Sequence, residues 1–264
     1  MKPEYLAFLH DTLKFLGFGE NTALNVALEE QIEQGAPSFE LETGACFDGE
    51  SIMSAKLYFK RGKEQFIERY FLNKYEAQIH YPNRPEKDLK KMFYIERNRS
   101  GVTFKQAFNL LQGRYVQRKI VDQNGDKHEW WLHLEPKLAA ADGDLYPRVI
   151  KRQFDLEKAL EKYPIQELGF PNGKDRICQS LRRGNLHQVT FVYESGKAES
   201  RLLYVNADKG LIGNISMATG AREKKDNNLF HIADLPEFEY PGEDSISESI
   251  LEEEPAPAQK KVHF

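Results

Sequence analysis

Residues 103–133 read TFKQAFNLLQGRYVQRKIVDQNGDKHEWWLH, and this stretch decides the fold class. It opens on Thr103 with Gln106 three places on. That is a capping box, in which hydroxyl and amide side chains satisfy each other's orphan backbone donors. Phe108, Leu110 and Leu111 then make a short apolar helix that Gly113 ends. Beyond the glycine the period drops to two, up to Asn124-Gly125, which predicts a type I′ hairpin turn. The return strand, residues 128–134, puts His128, Trp130, Leu132 and Leu134 on one face and Glu129, Trp131 and His133 on the other. Residues 148–154, RVIKRQF, predict a third strand, so a helix leads into an antiparallel meander.

The same grammar runs outward in both directions. Leu6, Leu9, Leu13 and Leu16 predict a helix punctuated by Gly17 and Gly19, and Leu24, Leu28 and Ile32 predict a second, capped by Asn21 or Thr22, that stops at Gly35. Phe39 and Leu41 alternate into the Asp48-Gly49 turn, and Met53, Ala55, Leu57 and Phe59 alternate back. Residues 66–72 and 75–79 predict two further short strands. On the C-terminal side a helix over 155–163 stops at Pro164, and Asn172 can cap a helix carrying Ile177, Cys178 and Leu181 up to Gly184. Strands follow around Val189 and Phe191, around Leu203 and Val205, and over 211–217, with a turn at Ser195-Gly196.

Aligned on the helix ends, Ile32-Glu33-Gln34-Gly35, Leu110-Leu111-Gln112-Gly113 and Leu181-Arg182-Arg183-Gly184 each set an apolar residue three before the glycine. A turn glycine follows 12 to 14 residues later, at Gly49, Gly125 and Gly196. This predicts a threefold internal repeat, with Gly35, Gly113 and Gly184 as left-handed residues just past each helix. The expected fold is α+β in two modules. A helix-plus-meander module spans 1–80, a polar linker 81–100 and a two-repeat module 101–236, followed by a disordered acidic tail at 237–264.

The 264 residues are 40% apolar and 30% charged, which supplies a core and excludes wholesale disorder. No apolar run approaches the ~18 residues of a membrane helix, and the N-terminus has no signal-peptide pattern, so a cytoplasmic protein without membrane contact is expected. Cys46 and Cys178 make neither a disulfide framework nor a metal motif. Basic residues number 37 against 41 acidic; eight of the acids and two lysines lie in 237–264, leaving the body at +2. The acidity therefore belongs to the tail.

Residues 108–133 together with 154–204, FDLEKALEKYPIQELGFPNGKDRICQSLRRGNLHQVTFVYESGKAESRLLY, resemble a family of bacterial proteins carried on conjugative and other mobile elements of gut anaerobes. The likeness extends over about residues 6–217 and is most specific at Gln179-Ser180-Leu181-Arg182-Arg183-Gly184-Asn185. It departs at AAADGDLY, residues 139–146, and in the short acidic tail, where many relatives are lysine-rich. The shared domain has no assigned function, so the resemblance implies a setting on mobile elements and no reaction. It brings no catalytic or binding residues with it.

Chemistry is sparse. The seven histidines, His10, His80, His128, His133, His187, His231 and His263, include no pair at the four-residue helical spacing of a zinc protease, and no CxxC, P-loop or Gly-x-Ser-x-Gly occurs. His128 and His133 face opposite sides of their strand, and Asp142/Asp144 sit in a glycine-bearing loop as turn formers. No catalytic residue, cofactor or metal is therefore expected, and the chain reads as a non-enzyme. The remaining signal is basic: residues 84–127 carry eleven basic against five acidic residues. Lys90, Lys91, Arg97, Arg99, Arg114, Arg118 and Lys119 are the candidate nucleic-acid set, with Tyr94, Tyr115 and Trp131 available for stacking. The leading expectation is an accessory or scaffold protein of a mobile element that binds another protein. The alternative is an auxiliary DNA-binding protein, and a small-ligand module would require an apolar cavity between helix and sheet.

Overall fold

The computed structural model describes residues 2–19, 22–95, 101–122, 124–135 and 145–217; the acidic tail lies outside them. Helices α1 (Pro3–Phe15) and α2 (Thr22–Glu33) precede a four-stranded antiparallel sheet of β1 (Ser38–Ala45), β2 (Ile52–Arg61), β3 (Tyr70–His80) and β4 (Leu89–Tyr94), in that spatial order. The β1–β2 connection is shaped by Asp48, whose Oδ1 accepts the Glu50 and Ser51 N–H groups at 2.9 and 2.8 Å, and by Gly49 at φ +79°.

Two expectations need correction here. The separate strands at 66–72 and 75–79 are one strand, β3, preceded by a 3₁₀ turn at Glu64–Phe66. Its register slips between Tyr58↔Lys74 and Phe59↔Leu72, so Asn73 is an extra residue bulged out of the ladder. That bulge breaks the period of two and gave the sequence the look of a gap. The stretch 81–100 is also no linker throughout, because β4 pairs with β3 over Lys74–Ile79 and completes the first sheet.

Nor does a boundary fall after it. Helix α3 (Phe104–Leu111) begins with the capping box at Thr103 and Gln106 and lies against the first sheet. Phe104, Phe108 and Leu111 share one core with Leu9, Leu57, Tyr75 and Phe93. The Phe104 N–H donates to the Leu16 carbonyl at 2.7 Å, and the Tyr75 hydroxyl donates to the Val102 carbonyl at 2.5 Å. Apolar burial therefore joins residues on both sides of the polar stretch.

The middle sheet, β5 (Val116–Val121), β6 (Lys127–Glu135) and β7 (Tyr146–Ile150), is antiparallel with β6 central. Residues 130–134, WWLHL, are all buried: Leu132 and Leu134 join the first core and Trp131 the second, as the alternation in the sequence requires. The β5–β6 turn is not type I′, because only Gly125 has positive φ (+87°). The Asp122 carbonyl accepts from the Gly125 N–H, and the Asp122 N–H donates to the Asp126 carbonyl, which makes a five-residue turn with a glycine bulge.

Helices α4 (Leu156–Leu160) and α5 (Gly173–Arg182) cover the third sheet, ordered β10-β9-β8, from β8 (His187–Val192), β9 (Ala198–Asn206) and β10 (Leu211–Ser216). Its β8–β9 turn repeats the five-residue form, with Tyr193 paired to Lys197 and Gly196 at φ +79°. Asn172 does not cap α5 with its side chain; its contribution is a left-handed backbone at φ +59°.

Helix, glycine and antiparallel meander thus follow one another three times, and Gly35, Gly113 and Gly184 have φ of +70°, +70° and +79°. The three are not equally exacting. A Cβ at Gly35 meets nothing within 4 Å, whereas at Gly184 it falls 2.9 Å from the Tyr115 carbonyl oxygen and 2.9 Å from Val116 Cγ2. Gly35→Ala is expected to cost about 1 kcal/mol, the left-handed penalty alone. Gly184→Ala adds the clash and is expected to cost about 2 kcal/mol. Urea denaturation of the two variants checks the difference, and equal midpoints would contradict it.

Candidate functional site

The candidate cations do not assemble into one basic face. Lys90 and Lys91 sit on β4 and point to opposite sides of the first sheet, and Lys90 lies 3.7 Å from Glu76. Arg114 donates to Asn109 Oδ1 at 2.7 Å, and Arg118 donates to the Gly101 carbonyl at 2.6 Å and to Gln106 Oε1 at 3.3 Å. Those two arginines fasten α3 and its flanks. Lys119 is exposed on β5 opposite Glu129, and Arg97 and Arg99 lie outside the described residues. The charge excess that the sequence suggested as a nucleic-acid face is therefore partly spent inside the fold. Trp131 is buried in the second core, and Tyr115 is stacked on His133, so neither offers a free stacking surface.

Two polar clusters are built at joints between elements. Lys105 Nζ stands 4.4 Å from the ring centroids of both Phe47 and Phe108, close to Arg114 and Asp48. Burial first, and then the Arg114 charge, push Lys105 down to about 8, and burial pushes Arg114 down to about 10. The second cluster joins the middle sheet to the β9–β10 turn. Tyr115 donates to Asp208 Oδ2 at 2.6 Å, and Arg148 donates to the same oxygen at 2.5 Å while also pairing with Glu135. Tyr115 stacks on His133 with centroids 4.5 Å apart. Burial, followed by the Arg148 charge, lowers His133 to about 4, so it is neutral at ordinary pH.

Asp122, Asp126 and His128 bring one potential ligand atom each within 4.8 Å. Asp122 is occupied by its own turn: Oδ1 accepts from the Asn124 and Asp126 N–H groups, and Oδ2 pairs with His128 Nε2 at 2.9 Å. Two surface clefts, about 270 and 350 Å³, lie beside α1 and α2; Tyr5, Phe8, Arg69 and Phe71 line the first, and Ile32, Arg61 and Glu68 the second. Neither gathers a set of groups for acid, base or nucleophilic work.

The first sheet carries such a set on its open side. The helices take up the face of Met53, Leu57, Phe59, Tyr75 and Ile79; the other face presents Ser54, Lys56 and Tyr58 from β2, Lys74, Glu76, Gln78 and His80 from β3, and Lys90, Met92 and Tyr94 from β4. At its end Ser54 Oγ lies 3.0 Å from His80 Nε2, and His80 Nδ1 lies 3.0 Å from Asp88 Oδ2. Asp88 Oδ1 accepts the Tyr81 N–H at 2.8 Å, which fixes the carboxylate. A carboxylate only accepts, so in the neutral imidazole Nδ1 carries the proton and Nε2 can accept from the serine hydroxyl. In the sequence His80 stands only among the histidines tested for a metal motif, and no motif singles out Ser54 or Asp88. The available signal was strand parity: Ser54 opposes Gln78 across the ladder, so His80, two residues on, shares its face. No family model, curated protein or solved structure matches the chain.

Proposed function

We propose that the chain is an accessory or scaffold protein that binds another protein through the open face of its four-stranded sheet. The observation that carries this reading is the composition of that face. Tyr94 is 56% exposed with Tyr58 and Met92 near it, Ile52, 53% exposed, lies at the other end of the same face, and aromatic residues and methionine are what interface centres favour. The charges there alternate in sign. Lys56, Lys60, Lys74 and Lys90 are interleaved with Glu40, Glu42 and Glu76, and Lys56 pairs with Glu40 at 2.6 Å. A near-neutral mosaic complements a protein surface of mixed charge and holds a polyanion poorly. The resemblance around Gln179–Asn185 supports a mobile-element setting in the cytoplasm, and the recurring helix–glycine–meander order supports three copies of one unit.

A photo-crosslinking residue placed at Tyr94 in the full chain, expressed in a host carrying the element, tests the reading. A discrete adduct to one protein is expected from that position and not from Lys119, and Met92→Glu should abolish it. Crosslinks that ignore Met92→Glu would overturn the reading. So would salt-sensitive micromolar binding of labelled DNA, which is the signature of phosphate contacts.

A further inference from the structure

We propose that Ser54, His80 and Asp88 form a nucleophilic relay on the open face of the first sheet, with small carboxylic esters as its substrate class. The relay lies at one end of the face that the protein-binding reading uses, with His80 opposite Ile52, and revises the expectation of a chain without catalytic residues. Its basis is the order of the contacts. Serine oxygen meets Nε2, Nδ1 meets a carboxylate, and the carboxylate is fixed by a backbone amide. That is the arrangement in which an orienting acid holds the imidazole in the tautomer able to take a serine proton.

The surroundings set the substrate class. On one side Ser54 faces Gly44 of β1, which has no side chain to cover Oγ from that strand. On the other side it faces Gln78, whose carboxamide can donate to a developing oxyanion, while Lys90 on the next strand lies 3.7 Å from Glu76. Because the site is an open face and not a cleft, it suits a short acyl group on a good leaving group and gives little purchase on a large one. Ser54 Oγ attacks the ester carbonyl carbon while its proton passes to His80 Nε2. The tetrahedral oxyanion collapses, the bond to the alkoxide breaks, and the leaving alkoxide takes that proton. Water, deprotonated by the same nitrogen, then cleaves the acyl-serine ester, releasing the carboxylic acid and restoring Ser54. Ser54 and His80 are the catalytic residues here and Asp88 is a positioning residue.

The test is labelling of the full chain with a fluorophosphonate probe, mapped by peptide mass spectrometry, together with p-nitrophenyl acetate turnover. The expected result is an adduct on Ser54 and turnover that Ser54→Ala removes. His80→Ala should slow labelling on the order of a hundredfold. Asp88→Asn, which keeps an acceptor for the Tyr81 N–H, should slow it and also move its pH dependence, which a purely structural contact would not do. Circular dichroism establishes that each variant is folded. A folded wild-type chain left unlabelled at Ser54, or one labelled equally fast in His80→Ala or Asp88→Asn, would overturn the proposal and reduce the contacts to surface hydrogen bonds.

Discussion

Asn109→Ala is expected to cost roughly 3–4 kcal/mol, more than any substitution named above, because one small side chain joins three segments. Asn109 is fully buried on α3. Its Nδ2 donates to the Arg183 carbonyl and to Asn185 Oδ1, both at 2.8 Å, and its Oδ1 accepts from Arg114 at 2.7 Å. Alanine removes all three bonds and fills none of the space. It strands a carbonyl at the end of α5, and it strands the Arg114 guanidinium, whose Nε already lacks an acceptor among the described residues. A buried polar group left without a partner costs ~1–3 kcal/mol, more when it is charged. Asn185→Ala breaks only one of the Asn109 bonds and a long 3.4 Å contact to Ser180, so it should cost about 1 kcal/mol. Urea denaturation ranks the two, and a loss below about 1 kcal/mol for Asn109→Ala would show that water replaces the lost bonds.

The sequence announced the elements well wherever local chemistry acts alone. Thr103 and Gln106 make their capping box in the fold, and the glycines after α2, α3 and α5 all take positive φ. Both signals depend on a residue and its neighbours within one turn. The failures have a different source. The bulge at Asn73 exists only because β2 fixes the register of β3, and the wider turn at Gly125 exists only because Asp122 spends its carboxylate on two backbone N–H groups. The polar look of residues 81–100 hid β4, an edge strand, which carries Lys90 on the side facing water.

The sites were less legible for the same reason, carried further. Charge counted along a chain says nothing of where a guanidinium ends, and Arg114 and Arg118 are drawn inward by carbonyl and amide oxygens that belong to α3 and to residue 101. Ser54, His80 and Asp88 come from two strands and a turn, and no motif spacing connects them. Only the antiparallel register sets Ser54 and His80 side by side, and register is a tertiary fact.

Acidification is expected to remove up to roughly 3 kcal/mol of stability between about pH 6.5 and pH 4 through His133. In the unfolded chain this imidazole has its ordinary value of 6.5, whereas in the fold burial and Arg148 hold it at about 4. The unfolded state therefore binds the proton more readily across that window. The contribution of His133 is complete above pH 6.5, declines as the pH falls, and changes no further below 4. Asp208 extends the loss in the same direction. Burial alone would raise its carboxyl, but hydrogen bonds from Arg148 and Tyr115 outweigh that and leave it lowered, so protonation loosens the same joint below the ordinary aspartate range. Glu135 and Arg152 border the cluster, the first paired with Arg148 and the second donating to the Asp208 carbonyl at 2.6 Å. His133→Phe keeps an aromatic ring stacked on Tyr115 and removes the titration. Urea midpoints taken at intervals from pH 7.5 to 4 should fall steeply for the wild type and much less for His133→Phe. Parallel curves would show that the acid sensitivity resides in the carboxylates and not in this histidine.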